Sequence, residues 1–297
     1  MLTNEYSIKG FKACDDYIEL NSRVLVMGVL NVTPDSFSDG GTYLDPMKAV
    51  DRVVCMIEEG ADIIDIGGES TRPGADSIDE QEEIRRLKPV LQAVGQRSSV
   101  PISIDTQKSA VAKMAIDLGA VIVNDVSALR HDLKMAKVVE EARAGLVLMH
   151  MQGAPETMQI APDYHDVVGE VKDFLAKRLA VAVKAGIPEE SILLDPGIGF
   201  GKTVDHNLTL VSHCTKLLDL GRPVLVGLSN KGFIGKIIGK PIGERMVGTI
   251  AAVAIAIFQG ASIIRVHEVG VMRDAMNMAK ALKESNAGGQ QFRQEHI

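Results

Sequence analysis

In the stretch Gly60-Ala-Asp-Ile-Ile64, a glycine of the kind that ends a helix leads directly into a short apolar run. The same pattern returns as Gly119-Ala-Val-Ile-Val123 and as Gly260-Ala-Ser-Ile-Ile264. Glycine is favoured just beyond the last turn of a helix, since it adopts a positive φ without strain. One turn from helix to strand is therefore used three times, which indicates alternating helices and strands and not a repeated domain.

Eight apolar runs follow one another along the chain, each separated from the next by enough residues for a helix. The runs show no alternation of polar and apolar residues, which is typical of strands buried on both faces of a parallel sheet. They are Val24–Leu30, Ile63–Gly67, Pro101–Asp105, Val121–Val126, Gly145–His150, Ile192–Asp195, Pro223–Ser229 and Ser262–His267.

The number of these units favours a closed (β/α)₈ barrel, the TIM barrel, over an open doubly wound sheet. No G-x-G-x-x-G sequence follows the first run, as it would in a dinucleotide-binding sheet. We therefore predict an α/β chain whose barrel domain spans residues 24–285. Residues 1–23 are a short N-terminal extension, in which Ser7–Phe11 and Tyr17–Leu20 are expected to pair as a hairpin over the barrel floor. Residues 286–297 are a polar tail.

The composition excludes several classes of protein. The apolar runs fall far short of the roughly 18 residues that a membrane span needs, and the N-terminus has no basic flank before an apolar segment. The cysteines Cys14, Cys55 and Cys214 are isolated, which indicates neither a disulfide framework nor a zinc site. We expect a cytoplasmic protein that makes no contact with a membrane.

Nucleic acid is not an expected partner. The net charge is −7, no basic stripe is present and tryptophan is absent. Both the phosphate-binding surface and the stacking platforms of nucleic-acid-binding proteins are therefore missing. Any small anion must be bound by a local cluster of cations.

Polar side chains close several of the runs. In a barrel of this kind the active site lies at the carboxyl ends of the strands, where Asp105, Asn124, Asp195 and Lys231 are found. Each of them alone is more often a turn or cap residue. Together they supply two carboxylates, an amide and an ammonium group, which suits a flat, nitrogen-rich heterocycle whose edge alternates donors and acceptors.

A second group of polar residues is cationic. Arg72, Arg265 and His267 follow the second and eighth strands, which lie on either side of the first strand in a closed barrel. In a chain of net negative charge, this concentration indicates a bound phosphate or diphosphate. The alternative for Arg265 is an ion pair with Glu268. Asn31, after the first strand, is a candidate ligand for a Mg²⁺ ion that accompanies a diphosphate.

Two further patterns carry weaker hypotheses. The stretch Gly197–Thr203 resembles the end of a phosphate-binding loop, but its spacing is one residue short, so it is at best a mimic of such a loop. Asp35 and Glu69 are a candidate pair of acid and base. His150 lacks the spacing of a catalytic zinc ligand.

Several long stretches are similar to a known family. The chain resembles the dihydropteroate synthases, the folate-pathway enzymes that sulfonamides target, from about Val24 to the last helix. The first two stretches are highly specific because of their length. The stretches are Met27–Gly41, Asp65–Ala75, Asp105-Thr106, Asn124-Asp125, Leu148–Gly153, Leu194–Lys202 and Ile264–His267.

The resemblance implies an activity. Enzymes of this family are TIM barrels, usually homodimers, that condense 6-hydroxymethyl-7,8-dihydropterin diphosphate with p-aminobenzoate and require Mg²⁺. The products are 7,8-dihydropteroate and diphosphate, in tetrahydrofolate biosynthesis. For the mechanism we predict loss of diphosphate from the pterin methylene before the amine attacks, with no side-chain nucleophile.

The resemblance also implies roles for the candidate residues. The residues predicted to be catalytic are Asp35, Asp105, Lys231, Arg265 and His267. The predicted pterin pocket consists of Asp105, Asn124, Asp195 and Lys231. The predicted diphosphate anchors are Thr71, Arg72, Arg265 and His267. The predicted p-aminobenzoate pocket consists of Phe37, Pro73, Phe200 and Ser229. The predicted metal ligand is Asn31.

One departure from the family pattern occurs at the seventh strand. The family usually reads Ser-Arg-Lys, whereas this chain has Ser229-Asn230-Lys231 followed by Gly232. The lysine is kept, so we expect pterin binding to be retained. A cation beside the pocket for the aminobenzoate carboxylate is lost, which leaves the affinity for aminobenzoate and sulfonamides open.

Three rival functions remain open on the sequence. A methyltetrahydrofolate:corrinoid methyltransferase would share the pterin carboxylates but has no need of the cationic group. A class I aldolase would use Lys231 as a Schiff base at a strand end. An inactive pterin-binding paralogue would keep the pocket without turnover.

Overall fold

Parallel strands arranged in a ring form the centre of the computed structural model, which describes residues 8–20, 23–33, 46–70, 77–95, 97–153, 157–158 and 160–286. Within these residues the strands are β1 (Gly10–Ala13), β2 (Asp16–Glu19), β3 (Leu25–Asn31), β4 (Ile63–Gly67), β5 (Ile102–Asp105), β6 (Ile122–Asp125), β7 (Gly145–Met149), β8 (Ile192–Asp195), β9 (Leu225–Gly227) and β10 (Ile263–Val266). The helices are α1 (Pro46–Glu58), α2 (Glu80–Gly95), α3 (Ser109–Asp117), α4 (Met135–Ala142), α5 (Val167–Lys184), α6 (Val204–Ser212), α7 (Gly232–Ile238), α8 (Met246–Phe258) and α9 (Val269–Asn286).

The ring closes as the predicted TIM barrel. Hydrogen bonds join the parallel strands in the order β8, β7, β6, β5, β4, β3, β10, β9. A parallel bridge between Leu194 of β8 and Val224, directly before β9, completes the circle. Helices lie between consecutive strands of the ring, and two of them, α7 and α8, lie between β9 and β10. The barrel fold is therefore confirmed.

The recurring turn from helix to strand has the backbone that its glycine predicts. The φ angles of Gly60, Gly119 and Gly260 are 97°, 102° and 92°. A side chain is disfavoured in this left-handed region, so glycine is needed at each turn. The next residues lead directly into β4, β6 and β10, which places these strands in the ring.

The hairpin of β1 and β2 fills one end of the barrel. Its strands pair antiparallel with Phe11 opposite Ile18, within the segment predicted as the N-terminal extension. Phe11 and Ala13 are fully buried among apolar side chains that point into the barrel. Those side chains are Leu25, Met27, Ile63, Ile122, Val147, Leu193, Leu225 and Ile263. Ser7 and residues 287–297 of the predicted tail lie outside the described residues.

Alternation along each strand decides which side chains reach the barrel interior. In β4, Ile63 packs with the interior cluster, whereas Ile64 and Ile66 pack with the layer between strands and helices. Because successive side chains point to opposite faces of a strand, Asp65 faces the interior. The fold therefore carries a charged group towards the centre of the barrel.

None of the helices within the described residues combines the length and the apolar character that a membrane span needs.

Candidate active site

The carboxyl ends of the barrel strands surround one cavity of about 330 Å³, part of it open to solvent. The structure brings together here all the residues predicted for a pterin pocket, together with Arg265 and Phe200. The lining residues are Asp105, Asn124, Val126, Met149, Asp195, Ile198, Phe200, Gly227, Lys231 and Arg265.

A network of hydrogen bonds at the base of this cavity centres on Asp65, which lies within an apolar strand and is not among the predicted site residues. The Oδ2 atom of Asp65 accepts from Nε of Arg265 at 2.6 Å and from Nδ2 of Asn124 at 3.1 Å. Nη2 of Arg265 also donates to Oδ2 of Asp105 at 2.8 Å. Arg265 thus pairs with two carboxylates of the barrel interior, where the sequence had offered Glu268 as the alternative partner.

Two carboxylate oxygens of the network have no protein partner among the described residues. They are Oδ1 of Asp65 and Oδ1 of Asp105, and both are buried. A buried oxygen that accepts no hydrogen bond is costly and is rare in folded proteins. The lining position of Asp105 makes its oxygen available to a donor on a ligand.

Burial sets the protonation of the charged groups around the cavity. It raises the pKa of Asp105 to about 7, against the opposing charge of Arg265, and it also raises the pKa of Asp195. It lowers the pKa of Lys231 to about 8, although Asp195 acts in the opposite direction. For Arg265, burial is outweighed by the carboxylates of Asp65 and Asp105, which raise its pKa and keep it charged.

Lys231 lies over an aromatic ring as well as beside carboxylates. Its Nζ is 4.5 Å from the centre of the Phe200 ring, a distance at which a cation is attracted to the face of an aromatic ring. Oδ1 of Asp195 accepts from the backbone N–H of Gly197 at 2.7 Å, which ties the end of β8 to the loop that carries Phe200.

Ser229 and His267 meet at the rim of the cavity. The Ser229 hydroxyl donates to Oε2 of Glu268 at 3.2 Å and lies 3.0 Å from Nδ1 of His267. The structure therefore places Ser229 against a predicted diphosphate anchor. Its predicted contact with aminobenzoate stays a prediction. Asn31 ends β3 at the same edge of the barrel.

Asn230, where the family pattern has arginine, has a φ of 60°. Asparagine is several-fold enriched in this left-handed region compared with most other side chains. The carbonyl of Asn230 accepts from Nη1 of Arg245 at 2.9 Å. This contact fixes the backbone between Ser229 and Lys231.

Glu69 anchors the loop after β4. Its Oε2 accepts from Nζ of Lys108 at 2.8 Å and its Oε1 from the backbone N–H of Ile78 at 2.9 Å. Lys108 also donates to the buried Glu83 at 2.6 Å. Because both oxygens of Glu69 are engaged by the protein, the geometry argues against the hypothesis that it is an acid or base. The predicted site residues Asp35, Phe37, Thr71, Arg72 and Pro73 lie outside the described residues.

The stretch compared with a phosphate-binding loop has a different role. Lys202 is only 3% exposed, and its Nζ donates to the carbonyls of Gly197 at 2.9 Å and Phe200 at 3.0 Å. Its ammonium group is held by its own loop, so it is not presented to a phosphate.

A family model described as pterin binding enzyme matches residues 27–267. The chain belongs to this family. A dihydropteroate synthase from Synechocystis is 45% identical over 261 residues, which are 88% of this chain and 90% of that protein. The dihydropteroate synthase of Escherichia coli strain K12 is 45% identical over 256 residues, 86% of this chain and 90% of that protein.

Solved structures of pterin binding enzymes share the fold. A dihydropteroate synthase from Yersinia pestis, in a sulfonamide drug complex, has a TM-score of 0.87 and 41% identity, and the match covers 93% of this chain and 99% of that one. The enzyme from Xanthomonas albilineans with 4-aminobenzoic acid has a TM-score of 0.86 and 42% identity, covering 93% and 98%.

Turnover by this pterin binding enzyme should depend on Asp65. We expect Asp65→Asn to lower kcat/KM on the order of 10²-fold, because an amide cannot neutralise the charge of Arg265. Steady-state kinetics on protein shown by its thermal melt to be folded gives the value. The matched control is Asp62→Asn on the approach to the same strand, where Asp62 pairs with Arg273 at the other end of the barrel. Equal losses in the two variants would contradict the role of Asp65.

Binding of the pterin should depend on pH. The affinity for 6-hydroxymethyl-7,8-dihydropterin should be greatest between about pH 7 and about pH 8. Below this range Asp105 gains a proton and accepts fewer N–H bonds, and above it Lys231 loses its positive charge. Calorimetric titrations across the range measure the affinity. In Asp105→Asn, most of the fall in affinity below about pH 7 should disappear. An affinity of the unmodified protein that does not change with pH would refute the roles given to Asp105 and Lys231.

Proposed function

We propose that this pterin binding enzyme is a dihydropteroate synthase. It condenses 6-hydroxymethyl-7,8-dihydropterin diphosphate with p-aminobenzoate and releases 7,8-dihydropteroate and diphosphate, a step of tetrahydrofolate biosynthesis. The observation that carries the proposal is the cavity in which buried carboxylates meet the amide of Asn124 and the guanidinium of Arg265. The relatives named above, which match this chain over about nine tenths of their length, carry this activity in their names.

The pterin ring is bound by the carboxylates of the cavity. A carboxylate accepts two parallel N–H bonds from the 2-amino-pyrimidinone edge, as it does from a guanidinium group. Asp105 and Asp195 line the cavity and offer such oxygens. Asn124 adds an amide, and Lys231 adds an ammonium donor for the ring carbonyl and nitrogen acceptors.

The diphosphate is bound at the cationic rim. Arg265 keeps its charge at any pH at which the enzyme works, because Asp65 and Asp105 support it. His267 lies at the same strand end, within hydrogen-bond distance of Ser229. Thr71 and Arg72 complete the rim in this proposal.

Mg²⁺ fits the donors at this edge of the barrel. The ion commonly takes one or two protein oxygens and fills its other positions with phosphate oxygens and water. The amide oxygen of Asn31, at the end of β3, is a donor of this kind. When bound there, the ion would supply positive charge to the diphosphate.

The aminobenzoate occupies the side of the cavity formed by Phe200, with Phe37, Pro73 and Ser229 as its further walls. Phe200 lines the cavity, which supports this assignment. The Yersinia pestis relative is known in a sulfonamide drug complex and the Xanthomonas albilineans relative with 4-aminobenzoic acid. Sulfonamides are therefore the inhibitors that we propose for this enzyme as well.

The side chains act electrostatically in the reaction. The bond between the pterin methylene and the diphosphate oxygen breaks first, and its electron pair leaves with the diphosphate. Ionised Asp105 and Asp195 stabilise the positive charge that spreads over the pterin ring, while Arg265 stabilises the leaving group. The amine nitrogen then bonds to the methylene carbon and loses a proton. Asp35 is proposed to add negative charge beside the same cation.

The proposal includes a cytoplasmic homodimer. The cysteines Cys14, Cys55 and Cys214 are all free, as suits a reducing compartment. Large apolar side chains are exposed on and between α7 and α8, which is typical of a subunit interface. These exposed side chains are Ile237, Ile238, Ile242, Val247, Ile255 and Phe258.

Light scattering tests the proposed dimer. A measured mass of 31.9 kDa, that of one chain, would contradict it.

Turnover of the two substrates tests the proposed activity. With Mg²⁺, dihydropterin diphosphate and p-aminobenzoate, we expect equal amounts of 7,8-dihydropteroate and diphosphate, measured by chromatography and a coupled diphosphate assay. With the amine omitted, we expect slow release of diphosphate, since the C–O bond breaks first. Binding of the pterin without any product would instead identify an inactive paralogue, and release that requires the amine would exclude the dissociative order.

The variant Arg265→Met in the same assay distinguishes a catalytic role of Arg265 from a general effect on the stability of the protein. We expect its rate to fall on the order of 10²–10³-fold, because a preorganised cation at the leaving group is lost. Arg273→Met is the control, since Arg273 binds the carbonyl of Gly60 and the carboxylate of Asp62 away from the cavity. Its rate should stay within about twofold of the unmodified enzyme.

A further inference from the structure

Three glycines with positive φ shape the loop between β8 and α6. The φ angles of Gly197, Gly199 and Gly201 are 65°, 87° and 62°. A Cβ atom on Gly197 would lie 1.8 Å from the carbonyl oxygen of His150, and one on Gly201 would lie 2.5 Å from that of Gln152. Only glycine permits so close an approach. The loop is therefore packed directly on the backbone that follows β7.

The ammonium group of Lys202 lies inside this packing. Besides the carbonyls of Gly197 and Phe200, its Nζ contacts Nδ1 of His150 at 3.0 Å and the His150 carbonyl at 3.5 Å. Burial lowers the pKa of Lys202 to about 7, although the charge of Asp195 opposes this. Its ammonium form has three N–H donors for the three short contacts, and its neutral amine form keeps two donors for the two carbonyls. Burial and the neighbouring charge of Lys202 lower the pKa of His150 to about 3. The ring is therefore a neutral acceptor towards Lys202.

The hydrogen bond from Lys202 to the Phe200 carbonyl also fixes the residue whose ring faces the cavity. The Phe200 ring lines the cavity, packs with the cluster of Met149 and Met151, and lies below Nζ of Lys231. A Cβ atom on Gly199 would come within 3.1 Å of Cδ of Lys231. The conformation of the loop thus determines where an aromatic wall of the cavity is placed, and the glycine leaves room for the Lys231 side chain beside it.

We propose that Lys202 is a positioning residue for the second substrate, which clamps the carbonyls of Gly197 and Phe200 and so fixes the Phe200 ring as a wall of the arylamine pocket. Lys202 lies behind the loop, does not line the cavity and acts through Phe200. The inference rests on the proposed role of Phe200 in the aminobenzoate pocket. A neutral aliphatic side chain would remove the Lys202 donor from both carbonyls. The Gly197 carbonyl would still accept from the backbone N–H of Phe200 at 3.1 Å, so the loss falls on the Phe200 carbonyl, and the loop would rearrange there to satisfy it.

Steady-state kinetics of Lys202→Met, Phe200→Leu and the double variant tests this role, with each substrate varied separately in the full chain. We expect Lys202→Met to raise the KM for p-aminobenzoate about 10-fold and to change the KM for dihydropterin diphosphate by less than about threefold. Phe200→Leu should have a similar effect. The double variant should be no worse than Phe200→Leu by more than about twofold, because the two residues act through one ring. Lys184→Met, on the exposed end of α5, is the matched control and should leave both KM values unchanged.

Three outcomes would overturn the proposal. One is a fall in kcat for Lys202→Met with both KM values unchanged, as expected of a residue that only stabilises the fold. Another is a KM for p-aminobenzoate in the double variant that rises by the product of the two single increases. The third is an unchanged aminobenzoate KM in Phe200→Leu, whereas failure of the proposed function itself would appear as no turnover in the unmodified protein. If Lys202→Met does not fold, Lys202→Gln replaces it, since its amide retains two N–H donors and should give a smaller rise of the same KM.

Discussion

The buried guanidinium group of Arg265, held between Asp65 and Asp105, is the interaction on which the mouth of the barrel depends. Burying a charged side chain costs several kcal/mol unless an opposite charge and hydrogen bonds compensate. The carboxyl ends of the strands therefore hold about as many negative as positive groups. Asp195 and Lys231 extend the same balance around the cavity. The charges can therefore remain buried before a substrate arrives. The Oδ1 atom of Asp105, which has no hydrogen-bond partner among the described residues and belongs to a residue that lines the cavity, is a position at which a ligand can join the network.

The topology of the barrel creates this network. Asp65 and Arg265 are 200 residues apart in the chain, yet β4 and β10 are both direct neighbours of β3. The opposite end of the barrel is filled by the β1 and β2 hairpin, whose Phe11 is fully buried. One end thus consists of apolar side chains and the other of charged ones. Two lysines hold segments at the charged end. Lys108, which follows β5, binds Glu69 of the segment after β4, and Lys202 binds carbonyls of its own loop after β8.

The sequence predicts the barrel well because periodicity and glycine turns are local properties of the chain. It also predicts the strand ends at which Asp105, Asn124, Asp195 and Lys231 lie, since that position follows from where each apolar run stops. The hydrogen-bond partners of each side chain depend on residues distant in the chain, so the sequence predicts them incompletely. Asp65 is absent from the predicted site residues, although a carboxylate within an apolar strand is itself a signal. The stretch Gly197–Thr203 resembles the end of a phosphate-binding loop in sequence, but the burial of Lys202 depends on His150, which is distant in the chain. The direction of Ser229 towards His267 and Glu268 likewise depends on the neighbouring strand.

Asp65 and Arg265 should act as one unit in binding and turnover. A double-mutant cycle on kcat/KM with Asp65→Asn, Arg265→Met and the combined variant measures this most directly. The combined variant should lose no more than about threefold beyond the less active single variant, because either change already disrupts the unit. Losses that multiply would show that the two side chains contribute independently and would contradict the account.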